Sequence, residues 1–385
     1  MVSIGRKTKA TRPTFTRRAF VAGCAAALCL GLALPMAGCG NDGAKSEDAP
    51  ATQSAKDEAA TRTFTDSAGR EVEVPAQIDR IAPAGHTATQ VLLTMAPDKL
   101  VTLSQELTAD QAKYLGGDYA DLPVTGAAFG AKGDLNKEAV AAAGAQILID
   151  TGEAKDGIKE DLDTLQTQLG IPVVFVETTM DTYGDAYEML GELLGMEDRG
   201  AELSAYCKNA YDETVSVMAG IPEDQRVRVA YLLGDAGTNT IAKNSYQGQV
   251  VDLVANNVAD LGKVSGSGSG TEVSLEQVSL WDPELILFQE GSIYDTVGSD
   301  PAWADLSAVK SGNYYEVPGA PWCWLNNPPT VNQVLGMQWL PRLLYPDQYD
   351  DDMYDTVAGY FKTFYGYDLS QAEFDEIAAN AQPKA

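Results

Sequence analysis

Three consecutive segments constrain the fold of this 385-residue chain more than anything else in it. Gln146-Ile147-Leu148-Ile149-Asp150 is a short apolar run, and Ile158, Leu162, Leu165 and Leu169 then recur at helical spacing. Pro172-Val173-Val174-Phe175-Val176 is a second apolar run. Strand, helix and strand within about 30 residues form a βαβ unit, whose crossover returns the chain to the end of the sheet where the first strand began and makes the two strands parallel. The second half is built the same way. Arg228–Leu233, Leu285–Phe288 and Tyr314–Val317 read as strands, and Gln249–Ala255 as a helix. The expected class is therefore α/β, in two lobes, and a length of 385 residues agrees with two domains at about 100–200 residues each.

Two helical segments lie between the halves. Tyr183–Leu194 is closed by Gly195, and Glu197–Ala219 places Leu203, Tyr206, Ala210 and Val217 on one face before Gly220 and Pro222 end it. A helix of that length reaches ~34 Å, a stiff spine between two sheet lobes and not a loose hinge. It predicts lobe rotation of only a few degrees when a ligand binds. The division expected is an N-terminal lobe at 63–180, linking helices at 181–222 and a C-terminal lobe at 223–385. Within the first lobe, Phe64 through Pro75 reads as a β-hairpin, Arg80–Pro83 as a strand, Thr87–Met95 as a helix stopped by Pro97, and Leu100–Leu103 as another strand. Gly262–Gly270 is a Ser/Gly-rich loop.

One internal correspondence links the lobes. Leu135-Asn136-Lys137-Glu138-Ala139-Val140 precedes Ile147, and Val273-Ser274-Leu275-Glu276-Gln277-Val278 precedes Leu285. In both, Glu opens a helix, Val follows two residues later, and an apolar strand starts nine residues after the Glu. An acid in a first helical turn is ordinary capping, worth ~0.3–1 kcal/mol; capping accounts for either Glu alone and says less about the matched pair.

The segment at 1–38 reads as an address. A basic stretch leads through Arg17-Arg18-Ala19-Phe20 into an apolar run ending Met36-Ala37-Gly38-Cys39. The paired arginines resemble a twin-arginine export signal and the last four residues a lipobox, which implies cleavage before Cys39 and a lipid on its sulfur. An uncleaved membrane span is the alternative, since the run is about long enough to cross a bilayer. Residues 39–62 carry almost no large apolar side chain and read as a solvated tether. Net charge is −28; beyond the signal, 21 basic residues face 55 acidic ones. So negative a surface repels phosphate backbones, which excludes nucleic acid as a partner. A single histidine, His86, excludes centres built from several imidazoles. Once the signal and Cys39 are set aside, Cys207 and Cys323 remain, and a separation of 116 residues does not decide whether they pair.

An enzymatic reading lacks parts. There is no Gly-x-Ser-x-Gly elbow, one His is thin support for a triad, and no Gly-rich phosphate loop follows a strand. Paired carboxylates occur throughout so acidic a chain, which leaves a glycosidase open on composition.

The opening hairpin, the Arg80-Ile81 strand, the paired Glu units and the closing Pro328-Pro329-Thr330-Val331-Asn332, Gly336–Leu340 and Leu343–Pro346 together resemble one family. It is the TroA-like, helical-backbone class of extracytoplasmic substrate-binding lipoproteins of ABC importers, which carry iron–siderophores, haem, cobalamin and related metal complexes. The resemblance spans roughly Arg62 to Leu369. It implies two Rossmann-like lobes joined by a spine helix, a ligand cleft between them, and a monomer anchored by lipid outside the cell. It also implies docking of one Glu per lobe, Glu138 and Glu276, into arginine pockets of a permease served by its ATPase. The cargo would be an iron or cobalt complex; an oxyanion of the molybdate kind, a bare metal, or a relay function without a permease are the alternatives.

Ligands of open α/β sheets gather at the carboxyl ends of strands. That rule selects loops containing His86, Phe129 and Thr151 in the first lobe, and Tyr246, Glu290 and the Trp322-Cys323-Trp324-Leu325-Asn326 stretch in the second. A neutral His86 imidazole could ligate iron or cobalt, or simply hydrogen-bond. Trp322 and Trp324, if their loop is extended, share one side and offer a stacking wall; packing anchors are the alternative. Tyr246 could offer a phenolate to ferric iron or haem, or serve as a hydrogen-bonding residue of the cleft. Lys132 and Lys243 are the nearest cations, so strongly anionic chelates find little positive charge.

Overall fold

The computed structural model describes residues 60–129, 133–262 and 268–383. The export signal, Cys39 and nearly all of the tether lie outside the described residues, as do Lys132 and the centre of the Gly262–Gly270 loop. No helix among the described residues is long and apolar enough to cross a membrane.

The described residues begin with the expected hairpin, β1 (Thr61–Thr65) antiparallel to β2 (Glu71–Pro75). Its turn is clamped onto the body by charge: Arg70 donates to Asp66 at 2.9 Å, to Asp163 at 2.8 Å and to the Val173 carbonyl at 2.9 Å. Next come β3 (Ile81–Pro83), α1 (His86–Met95), α2 (Ala109–Leu115), α3 (Lys137–Ala142), β4 (Ile147–Gly152), α4 (Ile158–Leu169) and β5 (Val173–Glu177). β3, β4 and β5 form a three-stranded parallel sheet with β4 in the middle, and the βαβ unit is β4–α4–β5. The strand expected at Leu100–Leu103 is reduced to isolated bridges, Ile81 with Leu100 and Leu103 with Val124.

Two antiparallel helices follow, α5 (Tyr183–Leu194) and α6 (Glu197–Ala219). Gly195, at φ +64°, makes the turn between them. They approach closely because Gly191 and Gly200 face each other: a Cβ on Gly200 would sit 2.6 Å from the Tyr187 carbonyl oxygen.

The remaining elements are β6 (Arg228–Leu233), β7 (Asn239–Thr240), α7 (Gln249–Val254), β8 (Asn256–Asn257), β9 (Thr271–Glu272), α8 (Leu275–Trp281), β10 (Leu285–Gln289), α9 (Tyr294–Val297), α10 (Ser307–Ser311) and β11 (Tyr314–Val317). Three helices close the chain: α11 (Gln333–Leu344), α12 (Met353–Tyr365) and α13 (Gln371–Ile377). The second sheet runs β11-β10-β6-β7-β9, with β8 also on β6. β6, β10 and β11 are parallel, whereas β7 and β9 extend the sheet antiparallel.

Strand alternation explains how the sheets pack. Ile147, Ile149, Val174 and Val176 of the first sheet and Val229, Tyr231, Leu285 and Leu287 of the second all enter one core, shared with α1, α5, α6, α11 and α12. The intervening residues build separate outer cores. Leu148, Val173 and Phe175 pack with Leu162 and Leu165 of α4; Ala230, Leu232, Ile286 and Phe288 pack with Val278 of α8 and Trp303. Both sheets are thus buried on two faces, the condition for apolar parallel strands.

Candidate functional site

A cavity of about 430 Å³ opens where β3 and β4 end, within the ~300–1,000 Å³ usual for small-molecule sites. Its wall includes His86, Thr87, Phe129, Thr151, Lys155 and Tyr246. The local reason for each is visible. β3 runs out at Pro83, and Gly85 serves as the N-cap of α1 with no side-chain cap. The first turn of α1 carries no acid of its own, so its N–H groups bring partial positive charge to a wall that Asp150, Glu153 and Asp161 also line. β4 runs out through Asp150 and Thr151, and Thr87 Oγ1 donates to the Thr151 carbonyl at 2.7 Å, tying the two strand ends together. From the second half, Tyr246 and Pro328 reach the same cavity, and Tyr246 is fixed by donating to the Thr178 carbonyl at 2.8 Å.

The electrostatics are mixed. Burial pushes the Asp150 carboxyl up to about 7, against the pull of the Thr151 backbone and Lys155. Burial lowers His86, with Asp134 opposing, so its imidazole is neutral at pH 7. Burial also raises the Tyr246 phenol, which stays protonated. The buried Thr151 hydroxyl has no hydrogen-bond partner within the protein. The cavity therefore offers uncapped helix N–H groups, hydroxyls, a phenol held by hydrogen bonds and one lysine, alongside carboxylates.

Of the residues expected at the site, the structure brings His86, Phe129, Thr151 and Tyr246 together. It separates the others. Trp322 is 4% and Trp324 0% exposed, and both enter the shared core. Trp324 donates from Nε1 to the Ala320 carbonyl at 2.8 Å and meets Trp339 edge-on at 6.2 Å. Gly336 allows this, since a Cβ there would collide with the Trp324 carbonyl oxygen. The stacking wall is corrected to a packing anchor: the segment is no strand, and large indoles find more buried area in the core. Asn326 is also buried, its Oδ1 accepting from Tyr231 at 2.7 Å. Glu290 lines a different cavity of about 230 Å³, beside Lys113, Glu316 and Asn380. Burial there raises its carboxyl, with Glu316 and Asp110 adding to the effect. Lys243 faces Glu223 at 3.9 Å, and Lys155 is the cation at the cavity. Cys207 and Cys323 are both free thiols. Among the described residues, no group of three or more His, Cys, Asp or Glu could hold a metal ion.

Thr87 lies in a loop that the strand-end rule selects, whereas sequence reasoning misses Lys155 and Asp150 as wall residues. Glu138 and Glu276 are both exposed, each in the first turn of its helix. Their helices are capped alike: Asn136 Oδ1 accepts from the Ala139 amide and Ser274 Oγ from the Gln277 amide.

Two α/β sheets thus share a helical core, with a cavity of small-molecule size at strand ends. Residues 93–321 match the periplasmic binding protein family, and the chain belongs to it. Its relatives are diverse. It is 25% identical to the molybdate-binding protein MolA of Haemophilus influenzae over 334 residues, 80% of this chain and 91% of that one. It is also 25% identical to the Fe(3+)-citrate-binding protein YfmC of Bacillus subtilis, over 58% of this chain and 68% of that one. Among solved structures, an ABC transporter solute binding protein from Sulfurospirillum deleyianum superposes with TM-score 0.75 at 28% identity, covering 82% of this chain and 98% of that one.

Proposed function

We propose that this chain is a receptor that captures a compact anionic metal species outside the cell and hands it to an ABC permease and its ATPase. The observation that carries the reading is the cavity at the uncapped N-terminus of α1, where the Thr151 hydroxyl is buried without a partner. Such a rim suits the oxygens of a small anion. The named ligands of two relatives, molybdate and ferric citrate, are both compact metal-bearing anions. Haem and cobalamin fit less well, because the two indoles expected to flank a macrocycle are core residues. The protein does no chemistry on its cargo and keeps no cofactor of its own. The lobes carry Glu138 and Glu276 to the permease, the long helix α6 limits their relative motion, and a lipid on Cys39 holds the monomer at the membrane.

Titration calorimetry with ferric citrate, molybdate, sulfate and haemin tests the reading. Saturable binding of ferric citrate or molybdate, with none of sulfate, is the expected result. Binding of haemin alone, with a Soret band, would overturn it.

A further inference from the structure

His86 belongs to a chain of hydrogen bonds whose directions can be assigned. Thr89 Oγ1 lies 3.0 Å from the Gly85 carbonyl oxygen, an atom that only accepts. Taking that contact as a hydrogen bond gives the single Thr89 hydroxyl proton to Gly85, whose carbonyl also accepts from the Thr89 amide at 2.9 Å. Thr89 Oγ1 in turn accepts from the Ser104 amide at 3.2 Å and lies 2.7 Å from Ser104 Oγ, so the Ser104 hydroxyl proton points to Thr89. That leaves Ser104 Oγ as an acceptor towards His86 Nδ1, at 2.9 Å. Both Ser104 and Thr89 are buried, so water does not compete for these bonds.

We infer that Ser104 and Thr89 act as positioning residues that hold neutral His86 in its Nδ1–H tautomer, with a bare Nε2 lone pair as the group the solute meets. The ring is engaged at Nδ1 by a buried partner, and His86 lines the cavity. A bare imidazole nitrogen accepts a proton or binds a metal; it repels an oxygen lone pair. Resting on the solute reading above, this separates its two candidates. A ferric carboxylate that keeps an iron-bound water or a free hydroxyl presents a proton that Nε2 accepts. A fully deprotonated tetrahedral oxyanion offers only acceptors there. The cavity thus favours the ferric carboxylate at neutral pH.

Because the chain has one histidine, a long-range ¹H–¹⁵N correlation spectrum of the full protein needs no assignment. At pH 8, without solute, Nδ1 is expected protonated and Nε2 pyridine-like. Ser104→Ala, or Thr89→Val if the first variant folds poorly, should raise the population of the other tautomer. A protonated Nε2 in the parent protein, or an unchanged tautomer in a folded variant, overturns the assignment. Ferric citrate should bind the parent at least tenfold more tightly than molybdate at pH 8, and Ser104→Ala should narrow that ratio. Equal or tighter binding of molybdate overturns the specificity. Failure of both anions to bind would count against the proposed solute and not against the tautomer, which is read without solute.

Discussion

The units α3–β4 and α8–β10 are built to one plan and end in different chemistry. Each begins with a polar N-cap, carries an exposed Glu in its first turn, buries a valine (Val140 or Val278) and enters a parallel strand. Past the strands they diverge. β4 delivers Asp150 and Thr151 to the cavity shared with His86, whereas β10 delivers Glu290 to a smaller, more acidic one. The exposed faces differ as well: one turn after Glu138 stands Ala142, and one turn after Glu276 stands Leu280, 80% exposed. Backbone and capping therefore carry the resemblance between the halves, while strand ends are free to specialise. A shared outward feature paired with unshared inward ones is what a protein needs if it docks with both halves and grips its cargo mainly with one.

The largest effect that can break this comparison lies on the outward side. Reversing both acids, Glu138→Lys with Glu276→Lys, should abolish solute uptake by cells while leaving solute affinity of the purified protein unchanged, because neither residue lines the cavity. Each single reversal should lose part of the uptake. Uptake at the parent rate in the double variant would show that the matched acids are capping alone, whose loss is worth ~0.3–1 kcal/mol each.

Much of this organisation is legible in the sequence, for reasons that can be named. The βαβ unit and α6 follow from periodicity, and Gly195, Gly220 and Pro97 punctuate helices through backbone geometry that acts locally. The hairpin follows from alternation at Phe64, Val72 and Val74. The antiparallel additions β7 and β9 are not visible, since two-residue strands have no period. Trp322 and Trp324 are misplaced because alternation holds only for a strand, and their segment is not one. Whether a ring faces core or cavity there depends on Gly336, many residues away. Glu290 does stand at a strand end, but that rule selects an edge of a sheet and not which of two cavities on the molecule a side chain lines.

A smaller effect concerns Asp150, the inward residue of β4. Its folded-state carboxyl sits near 7 against an ordinary value of 3.8, so the folded protein holds a proton that the unfolded chain has lost. Stability therefore falls as pH rises between about 4 and 7, by on the order of a few kcal/mol. Asp150→Asn removes the charge at similar volume and should flatten that fall, leaving the variant the more stable form above pH 7. Thermal unfolding from pH 4 to 8.5 checks this, and parallel profiles for parent and variant would mean that Asp150 is solvated in solution.

The smallest predicted effect is the most local. A buried hydroxyl without a partner has lost its hydration with no return, so Thr151→Val, nearly isosteric, should leave the solute-free protein equally stable or slightly more so. If the hydroxyl is kept for the cargo, the same change should weaken solute binding about five- to tenfold, one hydrogen bond of ~1–1.4 kcal/mol. Glu290→Gln at the end of β10 should leave affinity unchanged. Stability and affinity thus move in opposite directions at one strand end, and affinity does not move at the other. A Thr151→Val protein that is destabilised yet binds normally would place the hydroxyl in the fold's own hydrogen bonding, and a loss of affinity in Glu290→Gln would join the two cavities into one site.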